Sequence, residues 1–218
     1  MVTKRSLKPA AAEAEPNSVQ RRILEAAFSA FMEYGFAETS TLEIATRAKV
    51  SKRELYALFG SKQDMLIACI RARTKRFQMP AELPEPRDRE MLVHVLAAFG
   101  KQLLHETTDP AVIAAFRLAI AEALRTPEVA RELNASGIQA NRAALREIMA
   151  RACAAGLLSG KPAEIAEQFA GLLWGNQVTS LLLGIAERPS PREITRRAEA
   201  ATAALLRLYA ADKANGSA

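Results

Sequence analysis

The chain has 218 residues, enough for one large or two modest domains, and half of them are apolar, enough for a substantial core. Its two cysteines, Cys69 and Cys153, lack a C-x-x-C neighbour and follow no secretory signal. This pattern excludes a disulfide framework and predicts buried, reduced thiols in a cytoplasmic protein. Residues 1–76 contain 14 basic and 8 acidic residues and carry the whole net charge of +6, whereas residues 77–218 sum to zero. The asymmetry predicts a nucleic-acid-binding part joined to a neutral part.

The N-terminal segment begins with 16 residues that predict a disordered basic arm. Within it, Lys4, Arg5 and Lys8 either form a solvated tail or contact the minor groove or phosphates of DNA. A first helix is predicted from Asn17 or Ser18 to Tyr34. Gly35 suits its end, because glycine adopts the left-handed conformation that often terminates a helix.

Residues 40–62 predict two short helices joined by a tight turn. Ser40-x-x-Glu43 and Ser51-x-x-Glu54 are capping boxes, and Ser61 followed by Asp64 predicts a third helix start. Helices of two turns are unstable alone, so these must pack on one another. The shared core is predicted to contain Ile44, Ala45, Ala48, Val50, Leu55 and Phe59.

The second short helix has a basic N-terminus. Lys52 and Arg53 follow the N-cap Ser51, where positive charge opposes the helix dipole. Groove binding explains the placement, because the N-terminal residues of a recognition helix reach base edges and basic side chains read guanine. Lys62, at the next helix start, is predicted to neutralise a backbone phosphate.

The same stretch resembles the DNA-binding domain of the TetR family of repressors over roughly residues 18–66. The resemblance rests on the residues of the pattern V-S-x-x-x-x-Y-x-x-F-x-S-K, preceded by ILEAA at 23–27, Phe31, Gly35-Phe36, Thr41, Ile44-Ala45 and Ala48. It implies that Thr41, Tyr56 and Lys62 contact phosphates and that positions 52 and 53 face the bases; Ser51 completes the DNA-binding set. The family usually has glycine where this chain has Lys49, which predicts a strained turn.

The remaining chain predicts an all-α fold, because no window alternates like a strand. The helix that starts at Ser61 should connect the two parts and continue to about residue 78, before the prolines at 80, 84 and 86. Caps and N1 prolines predict further helices near 88–106, 109–124, 127–155, 162–185 and 191–211, the third kinked or broken at 134–137. The predicted division is a helix-turn-helix domain at 17–64 and a helical ligand-binding and dimerisation domain at 65–213.

The apolar segment 169–186 predicts a subunit interface. A membrane span is disfavoured by Asn176, Gln177, Thr179 and Ser180 at its centre. A helix that is apolar nearly all round is otherwise buried on every side, here against the core and a second subunit. This resembles the four-helix dimer interface of the TetR family, and residues 116–133 with FAGLLWGNQ resemble the AefR-type regulatory domain. The predicted interface contains Gly171, Gly175, Leu182, Leu205 and Tyr209.

The resemblance also implies a small apolar effector in the C-terminal domain. Its predicted pocket is lined by Phe99, Leu103, Phe116, Ile120, Met149, Leu173 and Trp174, residues that a plain core would equally use. No cofactor, metal site or catalytic motif is predicted. His94 and His105 lie three helical turns apart, too far to share a metal ion.

The favoured function is therefore a homodimeric repressor that binds a palindromic operator on double-stranded DNA and is released by a small hydrophobic effector. Two alternatives stay open. One is a DNA-binding activator without an effector, and the other is a helical enzyme or ligand carrier whose basic N-terminal helices do not bind DNA.

Overall fold

The computed structural model describes residues 18–74 and 85–211, and across them the chain is all-α. The predicted arm at 1–16, a start at Asn17, the last turn of the connecting helix and residues 212–213 lie outside the described residues. The helices are α1 Ser18–Glu38, α2 Thr41–Ala48, α3 Lys52–Phe59, α4 Lys62–Thr74, α5 Arg89–Thr107, α6 Pro110–Glu122, α7 Pro127–Leu133, α8 Gln139–Ala154, α9 Pro162–Trp174, α10 Gln177–Leu183 and α11 Pro191–Leu208.

Many helix starts fall where a side-chain cap, an N1 proline or both predict them. The side chains of Asp88, Asp109 and Ser190 each accept a hydrogen bond from the first turn of their helices. At Ser190 the capping box is complete, because the Glu193 carboxylate also accepts from the Ser190 backbone N–H. These contacts satisfy first-turn N–H groups that have no partner within the helix, which explains why the starts are readable from sequence.

Helix ends are less regular than their starts. The helix predicted to end at Gly35 does lose helical geometry there, with φ 81° and ψ 162°, but helical turns resume and reach Glu38. The predicted kink at 134–137 is confirmed as a π-helical segment, Asn134–Ile138, which joins α7 to α8. A π turn carries one extra residue and so shifts the side chains that follow it.

A single helix over 162–185 was expected, and this prediction is wrong. The helix ends at Trp174, and Gly175 has φ 49° and ψ −129°, a backbone geometry that strongly favours glycine. The guanidinium of Arg197 on α11 donates to the Trp174 carbonyl over 3.0 Å. The break therefore places α10 in a new direction, and its last turn is held by Arg117 of α6, which donates to the carbonyls of Leu181 and Leu182.

The described residues form two apolar cores. The C-terminal core joins α5, α8, α9 and α11 around Phe99 and Phe169. The N-terminal core joins α1–α4 around Phe31 and Leu55, and it also takes in Ala115 and Leu118 of α6 and residues of α7. The N-terminal helices consequently share their core with the helices that follow, so α6 and α7 contact α4 directly.

Two further features complete the fold. The loop after α8 meets the end of α11 through an isolated antiparallel bridge between Leu158 and Ala210. Among the described helices, each is either too short or too polar to cross a membrane.

Candidate nucleic-acid interface and ligand cavity

The first short helix is fixed to α1 by Arg47. Its guanidinium lies 2.8 Å from a Glu33 oxygen and 2.6 Å from a Glu43 oxygen, and it donates to the Tyr34 hydroxyl over 3.0 Å. The bonds to the two carboxylates raise the pKa of Arg47 above its ordinary value, and Arg47 in turn lowers the pKa of Glu33. Arg47 is therefore committed to orienting α2 on α1.

The two short helices are both capped at their N-termini, and the turn between them lies at residues 49–51. The Ser40 and Ser51 hydroxyls accept from the N–H groups of Glu43 and Glu54, which is one of the two hydrogen bonds of each predicted capping box. Lys49 has φ 55° and ψ 49°, and it is the one non-glycine residue with positive φ among those described. Because the Val50 N–H reaches the Ala45 carbonyl at 3.0 Å, the turn is a Schellman motif with lysine at the position that favours glycine.

The N-terminus of α3 presents two unpaired cations to solvent. Lys52 and Arg53 are exposed, and neither side chain has a hydrogen bond or ion pair with another described residue. Leu55 on the opposite face is fully buried and fixes the helix to the N-terminal core. The sequence thus builds a helix whose buried face sets its orientation and whose exposed tip carries positive charge.

Two predicted phosphate ligands lie side by side next to this tip. The hydroxyl oxygens of Thr41, the first residue of α2, and Tyr56, on α3, are 3.0 Å apart. Tyr56 is 42% exposed, although tyrosine rings are usually more buried. The pair bridges the two short helices on an exposed surface. One of its two O–H groups remains free to donate to an external acceptor.

Lys62 has a different environment from the one predicted. Its ammonium donates to the carbonyls of Phe36, Thr39 and Ala37 over 2.7, 2.9 and 3.2 Å, and it lies 4.5 Å from the centre of the Phe36 ring. An ammonium has three N–H donors, so these three carbonyls use all of them. The structure shows Lys62 as a cap for the end of α1; a phosphate contact would require it to leave these acceptors.

A cavity of about 350 Å³ lies in the C-terminal half, bounded by α5, α6, the π-helical segment, α8, α9 and α10. Its apolar lining consists of Leu103, Ile113, Phe116, Ile138, Leu145, Ala170, Trp174 and Val178, and its polar lining of Thr107, Asn141 and Arg142, with Gly137 between. This volume falls within the range of about 300–1,000 Å³ that is typical of small-ligand sites.

Only part of the predicted pocket lines this cavity. Leu103, Phe116 and Trp174 do, whereas Phe99, Met149 and Leu173 are fully buried in the neighbouring core. Ile120 lies outside it and is 59% exposed. The other nine lining residues were not predicted, and those of the π-helical segment and the start of α8 reach the cavity because of that irregular turn.

The predicted interface residues are likewise divided. Gly171 and Gly175 are exposed, and Leu182 and Tyr209 are partly exposed. A β-carbon added at Gly171 would meet no atom within 4 Å. Leu205, in contrast, is fully buried in the chain's own core, so the structure removes it from any exposed face.

The π-helical segment connects the cavity to α4. Gly137 and Ile138 line the cavity, and the preceding Ser136 places its hydroxyl 2.5 Å from that of Thr74, in the last turn of α4. Nearby, the guanidinium of Arg71 on α4 forms two 2.8 Å bonds with the Glu132 carboxylate on α7. These contacts join the wall of the cavity to the helix that follows the helix-turn-helix.

The two cysteines differ in environment. Both are free; Cys69 is fully buried, and burial raises the pKa of its thiol to about 12, whereas Cys153 is partly exposed. Cys69 is thus an inert core residue. Among the described residues, no three His, Cys, Asp or Glu side chains are grouped to hold a metal ion.

This geometry defines a helix-turn-helix protein, and comparison with known families agrees. Residues 23–69 match the family described as "Bacterial regulatory proteins, tetR family". Residues 94–211 match the "AefR-like transcriptional repressor, C-terminal domain". A search of curated proteins found no match.

Solved structures match over most of the chain. A putative TetR-family transcriptional regulator from Mesorhizobium loti is 25% identical, with a TM-score of 0.70, over 90% of this chain and 100% of that one. A protein named flavonoid-responsive regulator FrrA is 29% identical, with a TM-score of 0.75 over the same shares. A TetR regulator from Agrobacterium tumefaciens is 26% identical, with a TM-score of 0.71, over 90% and 97%.

The chain belongs to the TetR family of transcriptional regulators, with a regulatory half of the AefR-like type. Proteins of this family are DNA-binding regulators and not enzymes. The family assignment therefore excludes the helical enzyme that the sequence had left open.

Proposed function

We propose that the chain is a homodimeric cytoplasmic repressor that binds a palindromic operator through α3 and is released by a small hydrophobic effector. The observation that carries the proposal is the exposed, unpaired pair Lys52 and Arg53 at the capped N-terminus of α3. Arg47 and Lys62, by comparison, are bonded within the N-terminal helices. Free cations at a recognition-helix tip are the groups that read base edges.

Phosphate contacts on either side would set the register of α3 in the major groove. Thr41 and Tyr56 form one such contact point. Ser51, the N-cap of α3, is proposed as another contact with the DNA backbone. Contacts of this kind orient a protein on the duplex without carrying sequence information. Base reading therefore rests on Lys52 and Arg53, and positioning rests on the hydroxyl pair.

The dimer is proposed to form through α9, α10 and α11. One short helix reads only a few base pairs, so a specific site requires two copies related by a dyad. Gly171 and Leu172 are exposed on α9, the exposed Gly175 follows the end of that helix, and Leu183 on α10 is 69% exposed. Small residues permit two helix backbones to approach closely.

The effector is proposed to bind in the 350 Å³ cavity and to act through α4. Its support is the cavity itself, the link from Ser136 to Thr74, and the similarity to a regulator whose name states that it responds to flavonoids. An effector shifts the equilibrium only if it binds the DNA-free arrangement more tightly than the operator-bound one. It should therefore weaken operator affinity without dissociating the dimer.

Selection of bound fragments from random double-stranded DNA tests the whole proposal. An enriched palindrome with half-sites one helical turn or a multiple apart supports a dimeric reader, and enrichment of unrelated sequences contradicts it. Sedimentation at micromolar concentration should show a dimer. Equal affinity of a ligand for free and operator-bound protein would refute effector release, because coupling between two sites is reciprocal.

A further inference from the structure

The cavity wall is mostly apolar and includes one arginine that has no ion-pair partner among the described residues. Arg142, near the start of α8, lines the cavity, is exposed, and has no hydrogen bond or ion pair with any residue in the described ranges. The cavity lining includes one arginine and no aspartate or glutamate. An uncompensated positive charge at the edge of an otherwise apolar site favours a ligand of opposite sign.

The sequence around Arg142 explains why it has no partner. Other basic residues of this half pair with a carboxylate three or four positions away, as in Arg131–Glu128, Arg151–Glu147 and Lys161–Glu164. The positions three and four away from Arg142 hold Gln139, Ile138, Leu145 and Arg146, so no acid is within reach on its own helix.

A neighbouring cavity also contains Arg142 and offers it no unpaired carboxylate among its described lining residues. It measures about 300 Å³, and Arg142, Leu145 and Ala170 belong to both cavities. Its one carboxylate, Glu167, lies 3.8 Å from Arg146 and is thereby paired. Arg142 thus lies where the two cavities meet, and the nearby carboxylate of Glu167 is paired with Arg146.

A second polar group lies next to Arg142. Asn141 is 7% exposed and lines the same cavity. Its side-chain amide donates one hydrogen bond, to the Gly137 carbonyl over 3.2 Å. The amide has a second N–H and an oxygen that meet no partner within the described structure. The cavity lining thus offers a ligand two kinds of donor, the exposed guanidinium of Arg142 and the amide N–H of Asn141.

From these features we infer that the effector of the proposed regulator is an amphipathic anion, a carboxylate or similar acid on an apolar body. The body fills the space beside Phe116 and Trp174, and the acidic group binds Arg142 at the mouth, where it stays partly hydrated. This inference rests on the proposed function for its regulatory meaning. The chemistry of the site, however, is measurable without DNA.

A pair of fluorescent probes separates charge from hydrophobicity. 1-Anilinonaphthalene-8-sulfonate is an anion, and N-phenyl-1-naphthylamine has the same aromatic body without the sulfonate. The chain has a single tryptophan, Trp174, and it lies in the cavity wall, so energy transfer from it reports binding at this site. Titrations use the full-length, DNA-free protein.

Wild-type protein should bind the anionic probe up to about fivefold more tightly than the neutral one, because an exposed charge pair contributes about 0.2–1 kcal/mol. Arg142→Gln should remove this preference and leave the neutral probe unaffected. Arg207→Gln, with the same charge loss on the exposed end of α11, is the matched control and should keep it. Circular dichroism and melting curves establish that each variant is folded.

Displacement of the neutral probe then defines the ligand class. Decanoate should displace it better than decanol, and decylammonium should be weakest. Equal displacement by the three compounds, a preference for decylammonium, unchanged selectivity in Arg142→Gln, or failure of both probes to bind would overturn the inference.

Operator binding tests the regulatory role separately from the ligand class. If charge selectivity holds but the anions leave operator affinity unchanged, the ligand class stands and the effector role fails. If the protein selects a palindrome but shows no anion preference, the regulator stands and the ligand class fails.

Discussion

The hydroxyl oxygens of Thr41 and Tyr56 lie 3.0 Å apart, although the two residues are 15 positions apart and belong to different helices. Each was expected to contact a phosphate, and the fold brings them to one exposed point beside the tip of α3. Because the pair spans α2 and α3, a phosphate bound there would contact both helices at once. Such a contact would tie the orientation of α3 to the DNA backbone.

Removal of the Tyr56 hydroxyl should weaken binding to every duplex alike. Tyr56→Phe keeps the ring and loses one hydrogen-bonding group, so we expect about a fivefold increase in Kd, equivalent to about 1 kcal/mol. Fluorescence anisotropy with the selected operator and with a scrambled duplex measures the effect. A loss confined to the operator would assign Tyr56 to base reading instead.

Lys62 should act mainly on stability. Lys62→Met leaves the carbonyls of Phe36, Ala37 and Thr39 without their donor, so we expect the free energy of unfolding to fall by about 1–3 kcal/mol. Lys52→Met removes an exposed, unpaired ammonium and should change stability by less than about 0.5 kcal/mol. Urea denaturation of both variants at one protein concentration gives the comparison, since dimer stability depends on concentration.

The contrary result for Lys62 is equally clear. Unchanged stability together with weaker binding to all duplexes would show that Lys62 leaves α1 to contact a phosphate, as the family resemblance implies.

Substitution of Gly171 should affect subunit stability and dimerisation in opposite directions. The position is helical and open, so Gly171→Leu should stabilise the isolated subunit by up to about 1 kcal/mol through helix propensity. At a close helix-helix contact the same side chain would hold the subunits apart, so the dimer dissociation constant should rise. Sedimentation equilibrium measures it, and Ala143→Leu at an exposed position of α8 is the control. A dimer as tight as wild type would place the interface elsewhere.

The contact from Thr74 to Ser136 should carry the effector signal. Thr74→Val removes the hydroxyl with little change in volume, so operator affinity without ligand should stay near wild type. The weakening of operator binding by 1-anilinonaphthalene-8-sulfonate should shrink several-fold, in line with coupling changes of about 0.5–2 kcal/mol. Thr202→Val is the matched control, because its buried hydroxyl bonds only to the Ala198 carbonyl four residues back. An equal ligand response in both variants would exclude this route.

The sequence predicted those parts of the fold that depend on local chemistry. Helix starts are marked by the N-cap serines Ser40, Ser51 and Ser190, whose hydroxyls accept from a first-turn N–H group. They are also marked by the prolines at 110, 127, 162 and 191, since proline has no N–H that would need a partner in the first turn. The kink at 134–137 was also predicted. The boundary between the two predicted domains stays a prediction, since α6 and α7 contribute to the N-terminal core.

The errors arose where distant residues decide the outcome. α9 ends at Trp174, where Gly175 has φ 49° and ψ −129° and Arg197, 23 residues beyond Trp174, donates to the Trp174 carbonyl. The phosphate contact of Lys62 stays a prediction, and its bonds to carbonyls 23–26 residues before it were not foreseen from local sequence. The predicted pocket mixed core and lining residues, since helical spacing alone does not show which apolar side chains face an empty volume. Leu205 shows the same limit for the dimer face, because its burial results from packing within one chain.

The affinity of the Lys52→Ala, Arg53→Ala double variant for DNA tests the central claim most directly. Kd values for the selected operator and a scrambled duplex are measured at low and physiological salt, with Lys101→Ala on the exposed face of α5 as the charge control. The account predicts that preference for the operator falls by about tenfold or more per lost base contact, while weak, salt-sensitive binding persists. An unchanged preference in the double variant, or no binding of the wild-type protein to any duplex at low salt, would contradict it.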